Sequence, residues 1–300
     1  MNNESLPRID LELLGLLRRV ADAGSITSAA RQTGGSQSAL SRRIQEAEAR
    51  LGFTVFDRTT RSLVLTAAGQ ILLRETEAMP HILEGALRKV REDCFGELPV
   101  IRVGVSRSLS LAHLPGLFHS NKSEEQIRIE LSHPRGKAVI GGVLSAKLDV
   151  GIVPLPPQIP QDLEVSHQFE DEFVLISLQE SNANLRRKPS LRTWSVKQRW
   201  LLPPAQSTSR LVLQNWFLTK GVEVSPAMEL DSFDVMVQLV ELGMGVAFVP
   251  RRALSAFRRS SKLQRLDVGG APTRKLAVLT RKEPEPPRAV REFVAGILFS

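Results

Sequence analysis

The stretch SAARQTGGSQSALSRRI, from Ser28 to Ile44, holds two helical segments separated by a pair of glycines. The first stops at Gly34 and Gly35, and the second starts at Ser36, whose hydroxyl suits a helix N-terminus. Ala29 and Ala30 are small enough to let another helix approach closely. In the second segment Ala39, Leu40 and Ile44, continued by Ala47 and Leu51, form an inward stripe that Gly52 ends. Upstream, Leu11, Leu13, Leu14, Leu16, Leu17, Val20 and Ala21 recur at helical spacing between a capping Asp10 and Gly24. These spacings predict helices over Leu11–Ala23, from a capping Ser25 to Gly34, and from Ser36 to Gly52. Two short helices about a glycine turn make a helix-turn-helix.

The N-terminal half of the third helix carries Ser36, Gln37, Ser38, Ser41 and Arg42, with Arg43 beside them. Gln pairs bidentately with adenine, Arg pairs with guanine or phosphate, and the helix N-terminus itself favours phosphate oxygens. A solvated helix face is the competing explanation for any such polar stripe. Local charge favours the first reading. Residues 1–95 hold 13 Lys and Arg against 12 Asp and Glu, yet Ser25–Gln45 carries Arg31, Arg42 and Arg43 with no acid. Downstream, apolar Phe53, Val55 and Phe56 precede a polar loop, Asp57–Arg61, and a strand, Leu63–Leu65. This reads as a basic wing whose Arg58 and Arg61 lie against the DNA backbone or minor groove.

The combination of Ser28-Ala29-Ala30, Ser36 through Arg42, Leu51-Gly52, Phe56-Asp57-Arg58 and Leu65-Thr66-Ala67-Ala68-Gly69 resembles the N-terminal signature of LysR-type transcriptional regulators. The combination is far more specific than any of its parts. The sequence departs from that family at Thr33, where leucine usually packs the second helix, and a looser turn with lower domain stability is expected there.

From Ala67 to Glu92 the helical pattern continues, with Leu72, Met79 and Ala86 seven apart and Leu83 and Val90 seven apart. This spacing is that of a coiled-coil seam, about 39 Å long at 1.5 Å per residue. Pairing through this helix is what the resemblance implies; an amphipathic helix lying on its own core is the alternative. Pro80 interrupts the run and predicts two segments meeting near Met79.

After Pro99 strands and helices alternate. Strands are expected at Val100–Val105, Ile127–Leu131 and Asp149–Val153, with helices near Leu109–His119 and Ala138–Ala146. A second set opens at Phe173–Ser177 and includes strands Trp200–Leu202 and Gly245–Val249 and helices near Arg210–Thr219 and Asp234–Leu242. A strand at Lys275–Thr280 and a helix at Arg288–Leu298 close the chain. Continuous apolar strands between helices indicate a parallel α/β sheet. The expected organisation is multidomain: an all-α winged helix-turn-helix (1–66), a linker helix (67–95) and an α/β effector-binding domain (96–300). Two lobes are expected in the last, one about 96–169 with 275–300 and the other about 170–274. The resemblance implies a two-lobed domain like the periplasmic binding proteins.

Ligands of such folds sit at strand carboxyl ends, between lobes. That places Ser106, Arg107 and Ser108 in the first lobe, and Ser207, Thr208, Ser209, Ser232 and Phe248 in the second, around a small-molecule effector. Hydroxyls at helix N-termini favour an anionic one. Plain helix capping is the commoner explanation of such Ser and Thr residues, and only their convergence from both lobes favours a site.

The formal charge of +8 and the single cysteine, Cys94, narrow the class. One cysteine excludes an internal disulfide and a cysteine-built metal site. No span of about 20 apolar residues and no secretion signal is present, so a cytoplasmic protein that neither enters nor binds a membrane is expected. His81, His113, His119, His133 and His167 lack metal-ligand spacing, and no Gly-x-Ser-x-Gly elbow or phosphate loop occurs, so no enzyme, metal or cofactor is expected. Two basic runs remain, Arg186–Arg199 and Arg251–Arg265. Solvated faces explain them, with DNA, RNA polymerase or a partner subunit as alternatives. The reading is a homodimeric or homotetrameric regulator that binds inverted repeats in promoter DNA under effector control. A non-specific DNA organiser, a transport-type binding protein and a sensor acting through a protein partner are its rivals.

Overall fold

A computed structural model describes residues 9–58, 63–109, 114, 127–179, 191–257 and 262–297. It divides into two compact units, residues 1–88 and 89–300.

In the first unit, helices α1 (Leu11–Ala23), α2 (Ile26–Thr33) and α3 (Gln37–Leu51) begin on the side-chain oxygens of Asp10, Ser25 and Ser36. Each oxygen accepts a backbone N–H that the helix leaves unpaired. Gly34 closes α2 at φ 68°, a left-handed conformation that only glycine adopts without strain, and this sets the turn into α3. The side chain of Thr33 lies outside the described residues. Leu13, Leu16, Leu17 and Val20 of α1 pack with Ala29 and Ala30 of α2, Leu40, Ile44 and Ala47 of α3, and Val55 and Phe56.

Strands β1 (Phe56–Arg58) and β2 (Leu63–Leu65) pair antiparallel, so Asp57 and Arg58, expected in a loop, extend the wing's first strand. The carboxylate of Glu48 on α3 accepts the N–H groups of Val55 and Phe56 at 2.8 and 3.0 Å and fixes where β1 begins. Thr66 caps helix α4 (Ala67–Glu75) and donates to the Thr54 carbonyl at 2.8 Å. A side chain at Gly69 would collide with the Val55 carbonyl, so only glycine lets α4 lie this close to the wing.

The linker expected over residues 67–92, in two segments meeting near Met79, is two helices. After α4 come three turn residues, Thr76–Ala78, and then α5 (Met79–Phe95). Pro80 falls in the first turn of α5, where its missing N–H costs no hydrogen bond.

The second unit is built on strands β3 (Val100–Val105), β4 (Arg128–Ser132), β5 (Val150–Pro154), β6 (Leu163–Leu178), β7 (Trp200–Leu202), β8 (Pro226–Glu229), β9 (Val246–Pro250), β10 (Leu263–Leu266) and β11 (Thr273–Arg281). Their order is β4-β3-β5-β11-β6-β9-β7-β8, with β10 paired to β6. Helices α6 (Gly136–Leu144), α7 (Leu191–Ser195), α8 (Thr208–Thr219), α9 (Phe233–Glu241) and α10 (Arg288–Ala295) accompany them. The expected helix near Leu109–His119 lies almost wholly outside the described residues.

The sheet is mixed rather than parallel. β3 pairs in parallel with β4 and β5, and β7 with β8 and β9, but β6 and β11 run antiparallel to their neighbours. On the first lobe's sheet Leu276 and Val278 face α10 with Ile101, Val103 and Ile152, while Ala277 and Leu279 face α6 with Val139 and Val143. Both faces are buried, which explains the unbroken apolar runs.

The strand expected at Phe173–Ser177 is the second half of the 16-residue β6. Leu163–Glu172 pairs with β11 in the first lobe, and Phe173–Ile176 pairs with β9 in the second. β6 therefore carries the chain from lobe to lobe, and Pro272–Thr273 brings it back. Arg274 on β11 stands opposite Asp171 on β6, at that crossing. Both side chains are buried, with Arg274 Nε 2.8 Å from Asp171 Oδ2. The guanidinium also donates to Ser209 Oγ at 2.7 Å and lies 5.2 and 5.1 Å from the rings of Phe173 and Phe233. Burial pushes its pKa below the usual guanidinium range, and Asp171 opposes that shift.

Removing one member of a buried pair strands the other charge, at about 3–5 kcal/mol, whereas an apolar replacement of both is often neutral. Arg274→Met is expected to destabilise the second lobe by that amount, and adding Asp171→Leu to restore most of it. All three tryptophans, Trp194, Trp200 and Trp216, lie in this lobe, so denaturation followed by tryptophan fluorescence reads it directly. Additive losses in the double variant would show that the pair is not a coupled unit.

Candidate DNA interface and effector cleft

On α3 the core takes Leu40, Ile44 and Ala47 and leaves the other face free. Gln37, Ser38, Arg42 and Arg43 are exposed and Ser41 is half-buried. Ser36 Oγ accepts from Ala39 N at 3.2 Å and lies 3.1 Å from Ser38 Oγ, so Ser36 both caps the helix and orients its neighbour. Arg43 is held by Glu12 at 2.7 Å, which directs it toward α1, whereas Gln37, Ser38 and Arg42 crowd the free first turns. Arg58 lies on β1, but its side chain, like all of Arg61, falls outside the described residues.

Within the second unit, Ser106, Arg107 and Ser108 follow β3. Ser106 is buried, its hydroxyl 2.9 Å from that of Ser108, and a Cβ on Gly136 would lie 3.3 Å from Ser106 Oγ. Helix α6 thus begins hard against the end of β3. Arg107 donates through its backbone N–H to the Pro134 carbonyl at 3.0 Å and through Nε to the His133 carbonyl at 3.3 Å. Its Nη1 reaches across to Asp231 of the second lobe, 3.3 Å from Oδ2, and Arg135 Nε lies 3.6 Å from the same oxygen. The two lobes are therefore joined by charge at the carboxyl end of β3.

The other expected cleft residues divide. Ser207 and Ser232 cap α8 and α9 through Arg210 N at 3.1 Å and Val235 N at 3.4 Å. Thr208 opens α8 and is half-buried, and Ser209 is buried against Arg274. Phe248 has no exposed surface; it stacks on Trp200 and meets Trp216 and Phe217 edge to face. Neither Arg135 nor Asp231 was singled out by sequence pattern. Each precedes a helix and reads as an ordinary capping position, and only the fold brings them together.

Of the two basic runs, Arg186, Arg187, Lys188, Arg258 and Arg259 lie outside the described residues. Arg251 pairs with Glu172 at 2.7 Å.

The family profile "Bacterial regulatory helix-turn-helix protein, lysR family" matches residues 11–70, and "LysR substrate binding domain" matches residues 96–298. The chain belongs to the LysR family. It is a DNA-binding transcription regulator with an effector-binding domain. Among its relatives is the HTH-type transcriptional regulator YofA of Bacillus velezensis, 28% identical over 251 residues that span 83% of this chain and 84% of that one. Full-length CbnR complexed with its target DNA superposes with a TM-score of 0.65 at 20% identity, covering 96% of this chain and 99% of that one. A full-length OxyR variant from Pseudomonas aeruginosa gives 0.63 at 19%, covering 97% and 95%. Among the described residues no helix is long and apolar enough to cross a membrane.

If Arg42 reads a base, Arg42→Ala weakens specific binding by about 1–3 kcal/mol and relaxes preference at one position. Titration of specific and random duplexes at one salt concentration measures this. Equal loss on both assigns Arg42 to phosphate.

Proposed function

We infer that the protein is a homo-oligomeric, sequence-specific regulator of promoter DNA, acting in the cytoplasm without catalytic activity. Its grip on DNA is set by a small molecule with an anionic group, held between the lobes of the second unit. Residues 1–66 bind DNA, 67–95 join and pair the subunits, and 96–300 bind the effector, with lobes at 96–169 plus 275–300 and at 170–274.

The observation that carries this reading is the division of α3. One face locks into the core while Gln37, Ser38 and Arg42 stand exposed at its N-terminal end, the arrangement a recognition helix presents to a major groove. The relative solved on its target DNA supports that placement. Pairing is supported by α5, of whose residues none is buried, yet Met79, Leu83, Leu87 and Val90 are each about half exposed. At spacings of four, four and three they lie on one side of the helix, and the same stripe on a second copy would cover them. Two copies of α3 then reach successive major grooves about 34 Å apart, so the operator is an interrupted inverted repeat. The anionic character of the effector is supported by Arg107 and Arg135, which the first lobe directs into the cleft. Contact with RNA polymerase through the basic residues Arg192, Lys197 and Arg199 is a further part of the reading.

Site selection from a random duplex library at fixed physiological salt tests the DNA half. An enriched inverted repeat, lost with Gln37→Ala plus Arg42→Ala, is expected; binding without an enriched sequence would make the protein a DNA organiser driven by counterion release. For the pairing helix, Leu83→Glu with Leu87→Glu is expected to halve the mass measured by light scattering, and an unchanged mass would place the interface elsewhere.

A further inference from the structure

We propose that the molecule taken between the lobes is a zwitterion, an α-amino acid or a close analogue. Its acid group would sit on Arg107 and Arg135 and its ammonium group on Asp231. The inference rests on the reading of this cleft as the effector site.

The first lobe collects positive charge at one point. Arg107 follows β3, Arg135 occupies the N-cap of α6 and Lys137 stands in its first turn. No acidic residue lies in that first turn, and no side chain caps the helix. Cations at the N-terminus of a helix oppose its dipole, so Arg135 and Lys137 there are unfavourable without an anion nearby. The hydroxyl of Ser108, half-buried beside Ser106, adds a donor. The counter-charge comes from the opposite lobe, where Asp231 meets both arginines through one oxygen. Two arginines on one carboxylate oxygen leave room for a second anionic group.

The charge of the second lobe decides the rest. A purely anionic ligand would draw Arg107 and Arg135 away from Asp231 and leave two carboxylates facing each other without a cation between them. A neutral ligand would part the ion pairs and replace neither partner. A molecule bearing both signs restores each interaction in kind: guanidinium to its carboxylate, ammonium to Asp231. It also bridges the lobes, because its two charged groups are held from opposite sides, and closure then follows from binding itself. In the free protein Arg107 and Asp231 satisfy one another across the same gap, so the site is preorganised for charge separation.

The test uses the full-length protein and calorimetric binding of the twenty standard L-amino acids. Each is matched with the 2-hydroxy acid that lacks its amine and the amine that lacks its carboxylate. At least one amino acid is expected to bind, with both counterparts about a hundredfold weaker. Asp231→Asn is expected to weaken the amino acid at least about tenfold, and to leave the matching hydroxy acid unchanged or tighter. Asp231 is partly exposed, and tryptophan fluorescence of the second lobe verifies that the variant stays folded.

Hydroxy acids that bind the wild type as well as the amino acids do, and lose affinity with Arg107→Gln, would overturn the zwitterion. They would make Asp231 an internal competitor and leave the cleft as the effector site. Amino-acid binding indifferent to both Asp231→Asn and Arg107→Gln would overturn the cleft reading as well. Binding of none of the twenty overturns the proposed class.

Discussion

The second unit depends on one antiparallel pairing, that of β6 with β11. These strands lie side by side in the first lobe, and the chain passes into the second at Glu172–Phe173 and returns at Pro272–Thr273. Directly across that pairing sit Asp171 and Arg274, both removed from water. A buried ion pair adds little net stability, because desolvation consumes much of the Coulomb attraction. What it imposes is geometry. The guanidinium is satisfied only where Asp171, Ser209 and the rings of Phe173 and Phe233 converge on it. Ser209 belongs to the first turn of α8, and Phe233 is the first residue of α9. The starts of α8 and α9 are thereby referred to one point on the strands that join the lobes.

The same helix, α8, is tied to the returning chain at its other end. Trp216 Nε1 donates to the Gly270 carbonyl and Lys220 Nζ to that of Gly269, both at 2.6 Å. Movement of α8 toward a ligand therefore has to be shared by the Gly269–Arg274 segment, which leads directly into β11. Asp231, two residues before Phe233, meets Arg107 and Arg135 at the cleft. The N-terminal turn of α9 is thus held from both sides, by the crossing strands and by the first lobe. The ion pairs at the cleft and the strand crossing are thus linked through two short segments, Asp231–Phe233 and Gly269–Arg274.

Much of the first unit was legible in the sequence because its determinants are local. Asp10, Ser25, Ser36 and Thr66 cap the helices that follow them, and Gly24, Gly34 and Gly52 end the helices before them, so boundaries could be read within a few residues. The wing is legible as a basic loop and a strand, but Asp57 and Arg58 look like loop residues although they belong to β1. The start of β1 depends on Glu48, eight residues before it, accepting the N–H groups of Val55 and Phe56. In the second unit, strands buried on both faces announced themselves as apolar runs, whereas the first half of β6 did not. Glu164, Glu170, Asp171 and Glu172 give it the look of a surface loop. Arg274 and Asp171 are charges that only a cross-strand partner 103 residues away makes tolerable in a core. The Asp231 cluster is equally non-local, since its arginines lie on the opposite lobe.

The central claim is that the separation of the lobes sets how the protein holds DNA. The most direct measurement is the bend angle of a selected operator, read by energy transfer between dyes at its ends. The protein would carry Cys94→Ser, Arg107→Cys and Asp231→Cys, and would be compared before and after a short bismaleimide bridges the cleft. The account predicts that bridging changes the bend, or the spacing of the protected half-sites, with DNA still bound. An identical bend and footprint in the open and bridged forms would contradict it.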